Sequence, residues 1–372
     1  MKKIVFLSVG RSDYGIMRNI ITTCNQNKKI NLSLIVTGSH LSKKFGNTIK
    51  EIEKDKIKNI YKINLNYDFK NKDKTNYHIS TLINKTDIIL KKIKPNFVIT
   101  LGDRYEMLAM SLAAFNNNIR IVHFCGGSKT LGAKDDEYRK CISNLSSYHF
   151  VETNLHKKQL VNNGIDKSKI FVSGAPALEN LKKIKFIKKD KLFKNMKIKN
   201  YKNNKIIIVT FHSETKKKLS ENIIYINELI KFLKSLKNVI IIMTYPNADF
   251  GYENIIKIIE KTNFTNFYKY KSLGIEKYFN ILKYGNCLIG NSSSGIIESK
   301  SFNLPTINLG ERQSQRFHNI NVIHSKINKT DLQKKYLKSQ TIKFKKKIFA
   351  NKDIYKLNYT SDKIVNLLIK LS

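Results

Sequence analysis

The sequence has few acidic residues, few cysteines and no long apolar run. Only 28 Asp and Glu residues stand against 69 Lys and Arg residues in the 372-residue chain, so its formal net charge is +41. The four cysteines form no CxxC pair and have no zinc-binding spacing with histidine. This pattern excludes the common zinc motifs and favours a reducing, cytoplasmic compartment.

No apolar run approaches the roughly 20 residues that a membrane-spanning helix needs. The N-terminal run, Ile4 to Val9, is short, and charge returns at Arg11. We interpret this run as a first β-strand rather than a signal peptide. The sequence therefore predicts no membrane partner.

The positive charge has two interpretations. One is an anionic partner, such as nucleic acid, a membrane surface or a phosphorylated substrate. The other is a compositional bias toward Lys, Asn and Ile, with lysines spread over solvated faces. The basic residues extend along the whole chain, with short clusters at 182–191 and 343–347, and no nucleic-acid-binding motif is present. We prefer the compositional interpretation and expect no nucleic-acid partner, although the charge favours anionic ligands.

Short apolar runs alternate with helical patterns, which is typical of βαβ units. The runs lie at 3–9, 32–38, 97–100, 119–124, 148–153, 170–174, 205–211, 238–245, 286–290 and 305–310. The predicted fold is α/β, with two doubly wound Rossmann-like domains facing a ligand cleft. The predicted parts are an N-terminal domain (1–181), a linker (182–204), a C-terminal nucleotide-binding domain (205–355) and a helix packing back on the first domain (356–372).

Charged residues follow two predicted strands of the first domain. Arg11 lies in VGRSDYG, which is neither a dinucleotide-binding nor a P-loop fingerprint but does place an arginine beside a helix start. Asp103 and Arg104 directly follow a buried strand. Asp103 is either a base, or the orienter of one, or an N-cap of the next helix. Arg11 is either an anion contact or an ordinary turn residue.

The second domain carries the most specific local pattern, IGNSSSGIIES at 289–299. Its hydroxyls and backbone N–H groups suit a phosphate or diphosphate, and Glu298 suits ribose hydroxyls. The alternative is a serine-capped helix without a ligand. His212 follows the strand at 205–211, either toward a ligand or in a surface turn. Arg312 follows the strand at 305–310 and suits phosphate recognition, or is simply solvated.

Together these motifs resemble the UDP-N-acetylglucosamine 2-epimerases, and among them the hydrolysing branch of sialic-acid-type sugar biosynthesis. The matching stretches run in the family's order, at 10–15, 36–48, 102–109, 126–139, 244–249, 290–298 and 310–316. The resemblance implies a glycosyltransferase-B-type fold and no metal or redox cofactor. It also implies elimination of UDP with the proton on carbon 2, a glycal-like intermediate, and hydration to the free 2-epimer, such as N-acetylmannosamine. Family members often form dimers or tetramers.

The resemblance also assigns roles to residues. It implies Asp103, Asp136 and His212 as catalytic groups, with Arg139 in support. The substrate-binding residues that we predict are Arg11, Arg104, Arg139, Ser292, Ser293, Ser294, Gly295, Glu298 and Arg312. His212 is implied as a diphosphate contact as well.

One loop departs from the family pattern. Many relatives read HIEGGE or HIHGGE where this chain reads HFCGGS, so Cys125 and Ser128 replace an acid or imidazole and an acid. Three hypotheses follow. The chain is an active hydrolysing epimerase, on a UDP-N-acetylhexosamine or a modified sugar such as a diacetamido-trideoxyhexose. Alternatively it catalyses glycosyl transfer, or it binds a nucleotide sugar without turnover.

Overall fold

The structure is a computed structural model that describes residues 1–42, 48–65, 74–130, 134–247, 251–357 and 360–371. Parts of three stretches that carry the resemblance, 43–47, 131–133 and 248–249, lie outside this range. The chain divides into two compact units. The first comprises Met1–Ser128, Asp135–Asn180 and Tyr355–Ser372, and the second comprises Lys129–Lys134 and Leu181–Ile354.

Each unit contains one sheet in which every pair of neighbouring strands is parallel. The first sheet has the order β3-β2-β1-β4-β5-β6-β7, and the second β10-β9-β8-β11-β12-β13. The strands are β1 Lys2–Ser8, β2 Ile30–Val36, β3 Asn59–Lys62, β4 Phe97–Leu101, β5 Arg120–Phe124, β6 Tyr148–Val151, β7 Ile170–Val172, β8 Lys205–Thr210, β9 Val239–Thr244, β10 Phe267–Tyr270, β11 Cys287–Gly290, β12 Thr306–Leu309 and β13 Val322–Ser325.

Helices connect the strands in both units, as parallel pairing requires. The α-helices are α1 Arg11–Gln26, α2 Ile49–Lys54, α3 Lys74–Ile93, α4 Tyr105–Asn116, α5 Asp135–Leu145, α6 Asn154–Asn162, α7 Lys189–Asn195, α8 Leu219–Ser235, α9 Tyr252–Lys261, α10 Gly274–Tyr284, α11 Ser294–Ile297, α12 Lys329–Gln340, α13 Ile342–Ala350 and α14 Ser361–Lys370. Shorter 3₁₀ segments are Gly38–Leu41, Lys167–Lys169, Pro176–Lys183 and Ser299–Phe302. The prediction of two doubly wound α/β domains is confirmed.

All ten predicted strands are present, and the sequence missed β3, β10 and β13. These three lie at sheet edges, with one strand neighbour each. Edge strands are short and partly solvated, so they lack the continuous apolar run of a central strand. The sequence NIYK of β3, for example, is nowhere fully buried.

Residues 182–204, which the sequence predicts to be a linker, contain helix α7. Its Leu192 and Phe193 are buried in a core of the second unit, beside Ile206 and Ile208 of β8. Because lysines dominate this segment, its composition alone does not reveal that a few apolar side chains pack into the core. At the other end of the chain, α14 contacts α1 and buries Ile364, Val365 and Leu368 in the core of the first unit.

Three buried histidines of the first unit make it sensitive to acid. Burial lowers the pKa of His40, His123 and His149 to about 4, 3 and 4, respectively. The folded unit therefore binds fewer protons than the unfolded chain between about pH 6.5 and 4, and the free energy of unfolding should fall as the pH falls through that window. The full contribution of the neutral histidines is present above about pH 6.5.

His149 offers a clear test, because its side chain is fully buried. We expect His149→Phe to reduce the loss of unfolding free energy between pH 6.5 and 5 by about 1 kcal/mol per pH unit. Urea titrations at several pH values measure this slope. The exposed Phe115 provides the control, since Phe115→Leu changes a side chain without an ionisable group and should leave the slope unchanged. An unaltered slope in His149→Phe would contradict the prediction.

Candidate active site

The carboxyl ends of β1, β4, β5 and β6 lie side by side along one end of the strands of the first sheet, which we call the carboxyl edge. Gly102, after β4, donates its N–H to the carbonyl of Phe124 at 2.9 Å, and Cys125, after β5, donates to the carbonyl of Phe150 at 2.9 Å. Ligands of open parallel sheets bind at this edge. We therefore expect the catalytic or ligand-binding residues of this unit in the turns after these strands.

Arg139 of α5 joins two carboxylates at this edge, although its side chain is only 2% exposed. Its Nη2 donates to the carboxylate of Asp103, and its Nη1 donates to Asp136 Oδ1 at 3.0 Å. The same Nη1 donates to the carbonyl of Ser128 at 2.8 Å. Charge-assisted bonds of this kind fix orientation strongly. The structure thus brings Asp103 to two predicted site residues of α5, although Asp103 lies 36 residues before Arg139 in the chain.

Asp103 does not occupy the N-cap position of α4, which belongs to Arg104. Arg104 in turn forms an ion pair with the fully buried Glu106, and its Nε and Nη2 each donate to a carboxylate oxygen at 3.2 Å. Arg11 is the first residue of α1 and is exposed. The structure thus assigns the N-cap position to Arg104, and the carboxylate of Asp103 accepts from Arg139.

His123 connects the turn that contains Asp103 to α5, the helix that contains Asp136, by two hydrogen bonds. Its Nε2 lies 2.8 Å from the carbonyl of Gly102, and its Nδ1 lies 3.0 Å from Ser143 Oγ of α5. A carbonyl only accepts, so Nε2 carries the proton and Nδ1 accepts from the hydroxyl. Burial, followed by the nearby His149, lowers the pKa of His123 to about 3, which keeps the ring neutral. This histidine begins the HFCGGS stretch, but the sequence alone predicts no role for it.

The glycines after His123 are required by close packing. A Cβ on Gly126 would lie 3.1 Å from both His123 Nδ1 and Ser143 Oγ. Gly127 has a φ of +77°, and a Cβ there would lie 2.6 Å from the carbonyl of His156. Cys125 also has a positive φ, +62°, which is uncommon for a residue with a Cβ. The loop backbone is therefore held tightly although its head carries no acid.

Ser128, which replaces the acid of many relatives, acts through its backbone here. Its carbonyl accepts from Arg139, while its hydroxyl is buried and makes no hydrogen bond within the described ranges. The side chain at this position therefore contributes no proton-transfer group.

In the second unit, His212 follows β8 and is fixed from two directions. Its backbone N–H donates to Asn291 Oδ1 at 2.7 Å, and its carbonyl accepts from Asn291 Nδ2 at 2.9 Å. Its ring Nδ1 accepts from the N–H of Asn247 at 3.0 Å. In the neutral ring, the proton is therefore on Nε2, which makes His212 a donor suited to an anionic oxygen.

The serine run is followed by a helix, as the sequence predicts, but this helix, α11, has only four residues. Ser294 Oγ lies 2.7 Å from the hydroxyl of Tyr278. Burial raises the pKa of Glu298, and the hydrogen bond from Ser294 opposes that shift. The short helix leaves hydroxyls and a carboxyl, rather than a long helix dipole, as the polar groups of this turn. Gly295 is buried, and a Cβ there would lie 3.0 Å from Thr306 Cγ2.

Glu214 holds the loop that carries Arg312. Its Oε1 accepts from the backbone N–H groups of Glu311 and Arg312 at 2.8 and 3.1 Å. Arg312 Nη1 donates to the carbonyl of Ser213 at 2.8 Å. Gly310 is needed here, because a Cβ would lie 2.4 Å from Glu214 Oε1. The sequence places Glu214 beside His212 at a strand end but does not predict that it positions Arg312.

None of the helices in the described ranges has the length and apolar character needed to cross a membrane.

The candidate site residues thus form a carboxylate–arginine cluster in the first unit, and a histidine, serines and an arginine in the second unit.

Comparison with known proteins agrees with these features. Residues 22–369 match the family model described as UDP-N-acetylglucosamine 2-epimerase. The chain is 35% identical to the GDP/UDP-N,N'-diacetylbacillosamine 2-epimerase (hydrolyzing) of Campylobacter jejuni, covering 99% of this chain and 95% of that protein. It is 32% identical to the polysialic acid biosynthesis protein P7 of Escherichia coli, covering 92% and 88%. The crystal structure of UDP-GlcNAc 2-epimerase from Neisseria meningitidis bound to UDP-GlcNAc superposes with a TM-score of 0.84 at 18% identity, covering 99% and 100%. The chain therefore belongs to the UDP-N-acetylglucosamine 2-epimerase family, on the branch of its hydrolysing members.

Proposed function

We propose that the protein is a hydrolysing 2-epimerase of a UDP-linked N-acetylated aminohexose, in the biosynthesis of sialic-acid-type sugars. The reaction eliminates UDP together with the proton on carbon 2 and then hydrates the resulting glycal-like intermediate. The observation that carries the proposal is the buried Arg139, which holds the carboxylates of Asp103 and Asp136. Removing a carbon-bound proton requires a positioned base, and two oriented carboxylates supply one.

The second unit supplies groups for the leaving diphosphate. His212, with its proton on Nε2, the hydroxyls of Ser292 and Ser293, and the guanidinium of Arg312 are donors to anionic oxygen. Asn291 and Glu214 fix the backbone beside His212 and Arg312. Donors that are held before the reaction stabilise the developing charge without reorganisation. Glu298 is the ribose contact in this proposal.

We infer that the sugar carries N-acetyl groups at carbons 2 and 4. This inference is supported by the similarity over nearly the whole chain to a relative described as acting on diacetylbacillosamine. The family description makes UDP-N-acetylglucosamine the second substrate to test. Both substrates share the diphosphate on carbon 1 and the N-acetyl group and hydrogen on carbon 2, so the same cluster acts on either.

Proton NMR in deuterated water tests the proposal. We expect the purified protein to release UDP from UDP-N,N'-diacetylbacillosamine and to give a free 2-epimer that carries deuterium at carbon 2. Asp103→Asn should lower this rate by about 10²- to 10³-fold, because it removes a base of the cluster. Glu137→Gln is the matched control, since Glu137 lies beside Asp136 on α5 but is 64% exposed.

Other outcomes favour the other functions. UDP release only after addition of a hydroxyl acceptor would indicate glycosyl transfer. Calorimetric binding of both nucleotide sugars without UDP release would indicate a binding protein. In that case, Cys125→Glu with Ser128→Glu should restore turnover if the loop is a degraded form of the family's acid loop.

A further inference from the structure

The carboxyl group of Asp13 belongs neither to the predicted site residues nor to the cluster around Arg139. It lies in the first turn of α1, just after β1, and β1 is the sheet neighbour of β4, the strand that leads to Asp103. Its Oδ1 accepts from the hydroxyl of Ser12 at 3.2 Å. Its Oδ2 is shielded from solvent and makes no hydrogen bond with a described residue.

An acidic residue in a first helical turn often serves only to satisfy backbone N–H groups or to complement the helix dipole. Asp13 does not fit the first role, because within the described residues Ser12 is the only hydrogen-bond donor to its carboxylate. The cap position is Gly10, which has no side chain to offer. A buried carboxylate oxygen without a partner is costly unless the group carries a proton or meets a ligand.

The charged neighbours of Asp13 come from the next strand's turn and helix. Burial is the largest cause that raises its pKa, Arg104 opposes this, and Glu106 and Asp103 raise it further. Arg104 is already shared with the buried Glu106 at 3.2 Å, so its charge is not devoted to Asp13. A carboxyl in this setting keeps its proton to higher pH than an exposed aspartate and can act as an acid.

We propose that Asp13 is the proton donor for the hydration half of the reaction, the role that the neutral head of the loop at 123–128 does not fill. This inference rests on the proposed function. In the elimination half, a base takes the proton from carbon 2, the electron pair forms the carbon 1–carbon 2 double bond, and the bond from carbon 1 to the diphosphate oxygen breaks. In the hydration half, the electron pair of the carbon 1–carbon 2 double bond takes a proton from Asp13 to form the new carbon 2–hydrogen bond, which leaves carbon 1 electron-deficient. The oxygen of water bonds to carbon 1 and loses a proton to a base, and Asp13 is reprotonated from solvent.

This role separates the two halves of the reaction in a measurable way. Asp13→Asn keeps the shape but removes the acid, so elimination should continue while hydration slows by about 10²-fold. The variant should therefore release UDP together with the unsaturated sugar. The ratio of unsaturated sugar to hydrated product, measured by proton NMR or mass spectrometry, should rise at least tenfold over wild type. Glu137→Gln should retain the wild-type ratio.

A merely structural role would slow both halves together and leave the product ratio unchanged, and that result would overturn the inference. Asp13→Ser provides a second variant without the acid, in case the asparagine form does not fold, and it should give the same shift in ratio. UDP affinity, measured by calorimetry, should stay within about twofold of wild type, because Asp13 is not a proposed diphosphate contact. Absence of turnover by the wild-type protein on both nucleotide sugars would overturn the proposed function and this inference with it. Wild-type turnover with an unchanged ratio in both variants would overturn this inference alone.

Discussion

Arg139→Met is expected to abolish measurable turnover, with a loss of at least about 10³-fold, and to destabilise the protein by about 3–5 kcal/mol. The guanidinium is the shared partner of Asp103 and Asp136 and also holds the carbonyl of Ser128. Removing it leaves two carboxylates close together without their buried counter-ion. Breaking one side of such a network costs far more than a surface ion pair contributes.

Urea unfolding measures the loss of stability, and UDP release from the nucleotide sugar measures the loss of rate. Arg139→Lys serves as the conservative variant. It keeps the charge but cannot reproduce the guanidinium fork, so we expect partial recovery of stability and little recovery of rate.

Lys140→Ala is the control on the same helix. Lys140 is 50% exposed and lies 3.1 Å from Asp136 Oδ2, so its removal should cost less than about 1 kcal/mol. Arg139→Met with near-wild-type stability and rate would contradict the placement of this arginine at the centre of the cluster.

Gly290→Ala is expected to prevent the second unit from folding, or to destabilise it by more than about 3 kcal/mol. Gly290 ends β11 with a φ of +155°, and a Cβ there would lie 1.9 Å from the carbonyl oxygen of Thr210 on β8. This neighbour is the backbone of a central strand and cannot move aside as a flexible side chain can. β8 and β11 would have to separate at the end of β11, just before Asn291 and the serines.

Gly15→Ala is the matched control. Gly15 lies inside α1, where a Cβ would meet nothing within 4 Å, so we expect stabilisation by about 0.5–1 kcal/mol. Thermal unfolding and the yield of folded protein distinguish the two variants. A Gly290→Ala protein that unfolds with the wild-type midpoint would contradict the close approach of β8 and β11.

Much of this protein could be read from its sequence because the signals are local. An apolar run such as 205–211 predicts a buried strand whatever surrounds it, and the alternation of such runs with helical patterns gives the two doubly wound domains. A residue just beyond a parallel strand lies at the ligand-binding edge by geometry alone, which is why Asp103, His212 and Arg312 could be selected. Their roles in the reaction remain predictions.

Side-chain pairing depended on tertiary structure, because it joins residues that the sheet order brings together. Asp103 meets Arg139 only because β4 and β5 are neighbours and α5 follows them. The same neighbourhood lets His123 bridge the carbonyl of Gly102 and the hydroxyl of Ser143. No spacing in the chain encodes either pair.

Burial was the other property that only the fold decided. The sequence presents Asp13 as one more polar residue of a helix start, and 182–204 as a lysine-rich connection. The structure shields one oxygen of Asp13 from solvent and buries Leu192 and Phe193 against β8. The sequence by itself therefore determined the fold class, the family and the strand ends that carry the candidate residues. Tertiary structure decided which of those residues touch and which lose water, because both follow from packing between segments far apart in the chain.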